Sequence, residues 1–289
     1  MSLFLKKEEM WDMPLYADPD HPEKKHLTHW FANIVYVCFK VLCKLFWRYE
    51  VTGVEKLRAF DKVNGVIVIS NHTSYLDVVF LWLSARTKQW IRFIARENLF
   101  DVGGGLLGQG IGRVGGFPIK RDAADRTALK RASTMLKRKE LVGIMPEGTR
   151  RGRGTAKLEL HSGVAFIARM GKSPIMPSTV RNVEKIKEKG KLPRFPKVYI
   201  EYGDPILLSD FDCLPKEKRL DACTWYAMRE CFALNQQCPA EEVDMVALFP
   251  DCEDFTETFK QLDIPHHTAE ELAASMKAAQ LPAKAEGDA

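Results

Sequence analysis

No two cysteines of this sequence lie close enough together to suggest a structural zinc site or a compact disulfide framework. The seven cysteines are an odd number, and none belongs to a Cys-x-x-Cys motif. Histidine and carboxylate residues likewise show no cluster with the spacing of metal ligands. We therefore expect no metal and no disulfide framework, and a reducing compartment fits this use of cysteine.

A signal peptide, an internal repeat and a long uncharged hydrophobic run are also missing. Residues 1–26 carry scattered charges and no apolar core, which predicts a polar leader rather than a signal peptide. Residues 27–48 are the most apolar segment and are long enough to span a bilayer. Within them, Lys40, Lys44 and Arg48 are spaced by four residues, so they share one helix face beside bulky apolar side chains.

This spacing of charges favours a helix that lies in the membrane interface, with its cations among the lipid headgroups. Two alternatives are an amphipathic helix packed on the domain and a helix that crosses the bilayer. A crossing helix would place two lysines deep in the hydrocarbon, which is costly. Residues 27–48 are therefore predicted to form a membrane-interface helix.

The chain has no excess of acidic residues, since 43 lysines and arginines outnumber 38 aspartates and glutamates to give a formal net charge of +5. The basic residues concentrate in three segments, at 120–139, 150–157 and 181–197. Such clusters attract phosphate, anionic lipid, an acidic carrier protein or nucleic acid. For any single cluster, a solvated surface is the simpler interpretation.

Strand-like and helix-like segments alternate along the middle of the chain. With 46% hydrophobic residues, the chain can bury a sizeable core. Strands are predicted at 63–70, 91–95, 116–120, 141–145, 175–179 and 197–202, with helices from about residue 75 and at 123–139 and 163–171. A glycine-rich connection is predicted at 103–116. This alternation predicts an α/β fold with helices on both faces of the sheet. Residues 213–289 are predicted to form a helical C-terminal extension with a frayed tail.

The segment Asn71–Asp77 directly follows a buried strand, which is where α/β folds place their active sites. His72 has a side chain suited to general-base catalysis near neutral pH. Asp77, five residues later, can reach the second ring nitrogen and hold one tautomer. The alternative is that Ser74 and Asp77 form a capping box, with His72 an ordinary loop histidine.

Two further segments carry charge at the ends of predicted strands. Lys120 and Arg121 end a short strand and could bind a phosphate, arginine through two hydrogen bonds and lysine as a point charge. Glu147 and Arg150 belong to Pro146–Arg150, which follows another buried strand, so they could hold an acceptor hydroxyl and a phosphate. Taken singly, each segment is equally compatible with surface charge or a solvated ion pair.

In combination the segments are far more specific. The motif Asn-His-x-x-x-x-Asp at Asn71–Asp77 is followed by Gly115–Arg121, by Pro146–Arg150 and by a proline-containing strand at 174–177. With this series the chain resembles the glycerolipid acyltransferase family, whose best-known members are the 1-acylglycerol-3-phosphate acyltransferases. The resemblance covers about residues 49–204, and we place the acyltransferase domain at 49–212. It implies an α/β fold with a mixed, largely parallel sheet.

The resemblance also implies the roles of individual residues. His72 would be the general base and Asp77 its partner, so the acceptor attacks the thioester without an acyl-enzyme. The glycerol phosphate of the acceptor would be bound by residues of the later motifs: Lys120, Arg121, Glu147, Gly148, Thr149 and Arg150. No cofactor is implied, and the acyl donor would be acyl-CoA or acyl-carrier protein.

The resemblance thus predicts transfer of a fatty acyl chain to the free hydroxyl of 1-acylglycerol-3-phosphate in phospholipid biosynthesis. The predicted location is the cytoplasmic face of the cell membrane, with membrane phospholipids as partners. Alternative acceptors are glycerol-3-phosphate, a lysophospholipid with a head group, and a glycolipid.

Two alternatives belong to other functional classes. Gly110–Gly115 matches the dinucleotide-binding fingerprint G-x-G-x-x-G, but it precedes Phe-Pro-Ile-Lys instead of opening a helix after a strand. A non-enzymatic basic module could bind anionic membrane or nucleic acid through residues 181–197. That segment lacks the interleaved aromatic residues that stack on bases, so nucleic acid is not expected as a partner.

Overall fold

A seven-stranded sheet forms the centre of the computed structural model, which describes residues 6–18, 21, 23–86, 90–120, 125–151, 158–187, 190 and 192–280. The strands are β1 (Glu50–Thr52), β2 (Val66–Ser70), β3 (Ile91–Arg96), β4 (Phe117–Ile119), β5 (Leu141–Ile144), β6 (Ile175–Arg181) and β7 (Tyr199–Tyr202). Their spatial order is β1-β7-β6-β2-β5-β3-β4. Every neighbouring pair is parallel except β6 and β7, which confirms the predicted mixed, largely parallel sheet.

Eleven α-helices are present among the described residues. They are α1 (Lys7–Asp12), α2 (His29–Trp47), α3 (Val54–Arg58), α4 (Tyr75–Ala85), α5 (Leu106–Arg113), α6 (Arg126–Lys137), α7 (Gly163–Gly171), α8 (Arg219–Gln236), α9 (Met245–Leu248), α10 (Thr256–Gln261) and α11 (Ala269–Gln280). Helices α2, α3, α4 and α11 cover one face of the sheet, whereas α6, α7 and α8 cover the other. The predicted α/β architecture with helices on both faces is therefore confirmed.

Strand β2 lies at the middle of the sheet and is buried along its whole length. Val66 and Val68 point into the core beneath α4, while Ile67 and Ile69 point into the core beneath α8. A central parallel strand is covered on both faces, so it needs a continuous apolar sequence rather than an alternating one. Because β2 pairs with β5 on one side and with β6 on the other, its carboxyl end lies at the centre of the sheet edge that the strand ends form.

The segment predicted to be a polar leader contributes to the core. Met10 and Leu15 are fully buried beside the sheet. Arg92, on β3, donates a hydrogen bond to the Met13 carbonyl oxygen (2.8 Å) and forms a buried ion pair with Glu140 (3.0 Å). Glu140 also accepts a hydrogen bond from the Leu15 amide (3.0 Å). Because charged residues dominate this segment, its few apolar residues did not indicate packing. The prediction that residues 1–26 form a polar leader was therefore wrong.

The predicted glycine-rich connection contains helix α5. Gly108 and Gly112 are buried in it, and a Cβ atom would lie 2.2 Å from the Phe100 carbonyl oxygen at Gly108 and 2.2 Å from Met10 at Gly112. These glycines therefore permit close packing of a helix, where the sequence pattern indicated a loop. Gly110–Gly115 spans the end of this helix, so it lacks the strand-to-helix position that a dinucleotide fingerprint requires.

The C-terminal segment is helical, as predicted, but its first helix is part of the domain. Helix α8 packs against β6 and β2 and buries Cys231 and Phe232 in the core. A boundary between residues 212 and 213 therefore does not separate independent units. Helix α11 continues to Gln280, and the rest of the predicted frayed tail, residues 281–289, lies outside the described residues.

Candidate active site

The loop between β2 and α4 places His72 beside Asp77. The Nδ1 atom of His72 lies 3.1 Å from Oδ2 of Asp77. The Asp77 side chain is 1% exposed and that of His72 is 13% exposed, so the imidazole alone reaches solvent. The predicted contact between the two residues is thus present at the carboxyl end of the central strand.

Asp77 also stabilises the start of α4. Its Oδ2 atom accepts hydrogen bonds from the backbone amides of Thr73 and Ser74, both at 2.7 Å. Ser74 caps the helix through its hydroxyl, which accepts from the Leu76 amide at 3.3 Å. The capping box and the histidine contact, which the sequence presented as alternatives, therefore coexist in one carboxylate.

This arrangement determines which nitrogen of His72 can act as a base. A carboxylate only accepts hydrogen bonds, so the proton of a neutral His72 belongs on Nδ1, facing Asp77. The Nε2 atom then carries the free lone pair. Asp77 also stabilises the imidazolium that forms when Nε2 takes a proton.

Hydrogen bonds from β6 and α8 hold the residue before His72. The side-chain oxygen of Asn71, which is buried, accepts from the Thr179 hydroxyl at 3.0 Å. Asn235 on α8 in turn donates to the Thr179 hydroxyl at 2.9 Å. Ser178, next to Thr179, donates to the Ile69 carbonyl oxygen at 2.7 Å. The carboxyl end of β2 is therefore anchored from the C-terminal helix.

The loop after β5 brings Glu147 to the same edge of the sheet. The Glu147 side chain is buried, and its Oε1 atom accepts from Nε of Arg151 at 3.1 Å. The Arg151 backbone amide donates to the His72 carbonyl oxygen at 2.8 Å, which joins the two loops directly. Oε2 of Glu147 is buried with no hydrogen-bond partner among the described residues. That oxygen can accept a hydrogen bond from a substrate hydroxyl.

The electrostatic environment of Glu147 is unusual for a carboxyl group. Burial raises its pKa to about 7, against an ordinary value of 4.5. The charge and hydrogen bond of Arg151 and the His72 backbone oppose this shift, while the charge of Asp77 adds to it. Glu147 therefore titrates near neutrality, in the range where an enzyme can use either protonation state.

Cations line the rest of this edge. The Arg150 guanidinium lies 3.7 Å from the ring centroid of Tyr75, and its Nη2 atom is buried without a hydrogen-bond partner among the described residues. Thr149 accepts a hydrogen bond from Arg96, at the end of β3 (3.3 Å). Gly148 has a φ of +61°, a conformation that favours glycine in this sharp turn. The motif Pro146–Arg150 therefore lies next to Tyr75, the first residue of α4.

The second motif lies further along the edge. Lys120 follows β4 and is largely exposed, with its Nζ atom 3.7 Å from Glu97. It lies next to Arg96, because the β3–β4 register aligns Arg96 with Ile119. Its predicted neighbour Arg121 lies outside the described residues. The structure therefore brings His72, Asp77, Glu147 and the loop bearing Arg150 together, but it shows no direct contact between Lys120 and that group.

Three residues at this site were missed in the sequence: Tyr75, Arg96 and Arg151. Arg96 ends a predicted strand, so the rule that identified Lys120 could have identified it too. Tyr75 and Arg151 carried no such signal, since their partners became apparent only with the tertiary structure. Within the described residues, no three histidine, cysteine or acidic side chains are grouped closely enough to hold a metal ion.

Comparison with known proteins identifies the family to which this site belongs. A family model described as acyltransferase matches residues 48–181, which include all three motifs. The chain is also 31% identical over 188 residues to the 1-acyl-sn-glycerol-3-phosphate acyltransferase of Bacillus subtilis, covering 64% of this chain and 87% of that relative.

The chain belongs to the glycerolipid acyltransferase family.

Other relatives agree with this assignment. The acyltransferase is 32% identical over 167 residues to the 1-acyl-sn-glycerol-3-phosphate acyltransferase of Streptococcus pneumoniae, covering 56% of this chain and 59% of the relative. Its fold is similar to the crystal structure of the 1-acyl-sn-glycerophosphate (LPA) acyltransferase PlsC from Thermotoga maritima. That match has a TM-score of 0.52 and 23% identity, and it covers 71% of this chain and 79% of the other. The enzyme is thus an O-acyltransferase.

Proposed function

We propose that this acyltransferase moves a fatty acyl chain from a thioester, acyl-CoA or acyl-carrier protein, to the free hydroxyl of 1-acylglycerol-3-phosphate. Nε2 of His72 removes the hydroxyl proton while the oxygen attacks the thioester carbonyl carbon. The tetrahedral adduct then breaks its C–S bond, and the leaving thiolate takes the proton from the His72 imidazolium. The products are an ester and a free thiol, and His72 returns to its neutral form.

The observation that carries this proposal is the hydrogen bond between His72 Nδ1 and Asp77 at the carboxyl end of β2, which directs the Nε2 lone pair away from the carboxylate. Glu147 supports the assignment, because its unpaired Oε2 atom can accept a hydrogen bond from a hydroxyl of the acceptor. Neither the attack on the thioester nor the release of the thiolate needs a covalent acyl-enzyme, because His72 activates the acceptor hydroxyl directly.

An acceptor that carries a phosphate suits the cations along the edge. Arg96 ends β3, and Arg150 and Lys120 follow its two neighbouring strands, β5 and β4. The unpaired Nη2 atom of Arg150 can donate to a phosphate oxygen without breaking an existing hydrogen bond. The relatives from Bacillus subtilis and Streptococcus pneumoniae are named for the same acceptor, which supports this choice.

A panel of acceptors tests the proposal. Purified protein would receive radiolabelled acyl-CoA or acyl-carrier protein with 1-acylglycerol-3-phosphate, glycerol-3-phosphate, a lysophospholipid with a head group, or a monoacylglycerol without phosphate. We expect the highest kcat/KM with 1-acylglycerol-3-phosphate and a large loss with monoacylglycerol. A higher kcat/KM with another acceptor would assign that acceptor instead, and equal rates with and without phosphate would refute the phosphate site.

Helix α2 presents an apolar stripe that points away from the domain. Trp30, Ile34, Val37, Val41 and Leu45 recur every three or four residues, and each is more than half exposed. Among the described helices, α2 alone is long and apolar enough to cross a membrane by length and composition. Its opposite side packs on the domain, where Tyr36 contacts Trp82 of α4 at 6.1 Å between ring centroids.

A loop before β7 extends this apolar surface. Phe195 stacks on Phe46, with ring centroids 5.1 Å apart, and Trp47 donates a hydrogen bond to the Arg194 carbonyl oxygen at 3.4 Å. Leu192, in the same loop, is 86% exposed. Because both the side and the end of α2 are attached to the domain, we propose that the helix lies in the membrane interface at the cytoplasmic face of the cell membrane.

The membrane proposal is best tested with point variants. Removing residues 1–48 would also remove Met10 and Leu15 from the core, so a loss of activity would be ambiguous. Val41→Asp should reduce binding to vesicles that contain anionic lipid, whereas Ala274→Asp on the exposed surface of α11 should not. Equal vesicle binding by both variants would show that α2 does not contact the membrane.

A further inference from the structure

Arg151, in the loop after β5, contacts both the loop that carries His72 and the C-terminal helices. Its backbone amide donates to the His72 carbonyl oxygen at 2.8 Å. Its side chain donates to Glu147 at 3.1 Å and, through both terminal nitrogens, approaches the Leu248 carbonyl oxygen at 3.4 and 3.5 Å. Leu248 is 97 residues further along the chain, at the end of α9.

Aromatic rings from the C-terminal segment hold the Arg151 guanidinium. Its central carbon lies 4.6 Å from the ring centroid of Phe232 on α8 and 4.6 Å from that of Phe249. These two rings contact each other edge to face, with centroids 5.9 Å apart. An arginine enclosed in this way has lost much of its rotational freedom, so its hydrogen bonds keep one geometry.

We propose that Arg151 is a positioning residue through which the C-terminal helices set the geometry and charge of Glu147. The inference rests on the proposed function, in which Glu147 accepts a hydrogen bond from the acceptor hydroxyl. Arg151 donates to Oε1, and Oε2 has no hydrogen-bond partner among the described residues, so Arg151 orients the carboxylate while one oxygen stays available. When the segment that carries Phe232 and Phe249 is in place, the guanidinium cannot turn away from Glu147.

Arg151 also favours the ionised form of Glu147, which is the better hydrogen-bond acceptor. Its charge and hydrogen bond are the largest influences that lower the pKa of Glu147 against the effect of burial. Among the described residues, the other titratable or charged groups around Glu147 and its loop include His72, Asp77, Arg96, Arg150 and the Cys231 thiol of α8. Without Arg151, burial and Asp77 would raise the pKa of Glu147 further.

Two substitutions separate positioning from a merely structural role. Arg151→Met keeps much of the side-chain length but loses the charge, so kcat/KM for the acceptor should fall about tenfold to a hundredfold. The fall should come mainly from the acceptor KM, with the donor KM unchanged, and the acid limb of the pH profile should move to higher pH. Arg151→Lys restores a charge near Glu147, so it should return the acid limb towards its wild-type position.

A second variant acts from the C-terminal side. Phe249→Leu leaves the ion pair in place but removes one ring from the guanidinium, so it should raise the acceptor KM in the same direction by a smaller factor. If Arg151→Met fails to fold, the acceptor KM of Phe249→Leu still tests whether Arg151 positions Glu147. Arg169→Met is the matched control, because Arg169 contacts the Phe166 ring of its own helix, outside the candidate site.

The kinetics of these variants distinguish a positioning role of Arg151 from a structural one. A raised acceptor KM with a shifted acid limb in Arg151→Met, partly restored by lysine, supports the inference. Wild-type kinetics in both Arg151→Met and Phe249→Leu would overturn it, as would an equal loss for donor and acceptor without a pH shift. Failure of the wild-type enzyme to acylate 1-acylglycerol-3-phosphate would instead refute the proposed function, so the two failures remain distinguishable.

Discussion

The loop that carries His72 and the row of cations beyond it differ in how tightly they are held. Around His72, the Asp77 carboxylate contacts the imidazole and two backbone amides, and Asn71 is anchored through Thr179 to α8. Lys120, by contrast, is exposed, with only a 3.7 Å ion pair to Glu97 for its ammonium group among the described contacts. Arg150 stacks on Tyr75 but keeps a terminal nitrogen unpaired.

The difference reflects what each region must do in the proposed reaction. Proton transfer requires a base that is already aligned with the substrate. The entropic cost of ordering that base is therefore offset during folding, before the substrate binds. Phosphate binding requires donors that are not already engaged, because a cation saturated by protein partners gains little from a ligand. Changes in the first region should therefore affect turnover, whereas changes in the second should affect acceptor affinity.

Replacing His72 should have the largest effect. His72→Ala removes the general base, so turnover should fall by about a hundredfold at the least and by about ten-thousandfold if the base contributes its full effect. The backbone bond from Arg151 to residue 72 does not depend on the side chain, so the fold should persist. Thioester-dependent acylation and thermal unfolding would be measured together. Near-normal turnover in a folded variant would refute His72 as the base.

Replacing Asp77 should have the next largest effect and can be compared with a change in the cap alone. In Asp77→Asn, an amide oxygen in the place of Oδ2 can still accept from the two backbone amides and from His72, but the negative charge that stabilises the His72 imidazolium is lost, so turnover should fall about ten-thousandfold at most. Ser74→Ala loses the cap and about 1 kcal/mol of stability, while the contact between His72 and Asp77 stays. Similar turnover in both variants would show that Asp77 serves the helix and not the histidine.

A smaller effect, confined to the acceptor, is expected at the cations. Arg150→Ala should raise the acceptor KM about tenfold to a hundredfold, because one charge-assisted contact to phosphate is lost. The donor KM should change little. Arg169→Ala, which removes an exposed arginine that stacks on Phe166, is the control. An equal rise of both KM values would move Arg150 to the donor site or to a structural role.

The remaining effect is expected on stability rather than on activity, at Glu147. Its pKa is raised from 4.5 to about 7, so the native state holds this proton more tightly than the unfolded state. The resulting stabilisation is present at acid pH and is lost as the pH rises from about 4.5 to about 7, by at most about 1.4 kcal/mol per pH unit.

Glu147→Gln cannot titrate, so its free energy of unfolding should depend less on pH across this interval than that of the wild-type protein. Denaturant unfolding at several pH values measures the difference between the two. Parallel curves would mean that Glu147 is ionised throughout, as an exposed carboxyl group would be.

Local sequence signals were sufficient wherever the interacting residues are close in the chain. His72 and Asp77 are five residues apart across a helix start, so the sequence showed that a contact was within reach, although it also allowed a capping box without that contact. The strands at β2, β5 and β6 were recognisable because central parallel strands are continuously apolar. The predicted connection at 103–116 contains a helix instead, because its glycines allow close packing against Phe100 and, at Gly112, against the distant Met10, which the local glycine pattern did not indicate.

Residues whose partners are distant in the chain could not be assigned in the same way. Arg151 follows a recognised motif, yet its partners Phe232, Leu248 and Phe249 are about a third of the chain away. Arg92 lies in a predicted strand, but the sequence did not indicate that it is fully buried against Glu140 and the N-terminal segment. Sequence patterns report burial by apolar periodicity, so a buried charge with a distant partner escapes them.

The sequence by itself determined the family, the α/β class and the order of the motifs, because each depends on residues that are neighbours along the chain. Only the tertiary structure decided that the N-terminal segment and α8 belong to the core and that Glu147 is buried. It also decided that Arg151 joins the loop that carries His72 to the C-terminal helices. The physical reason is that burial, and the pKa shift it causes, depend on packing between elements far apart in sequence.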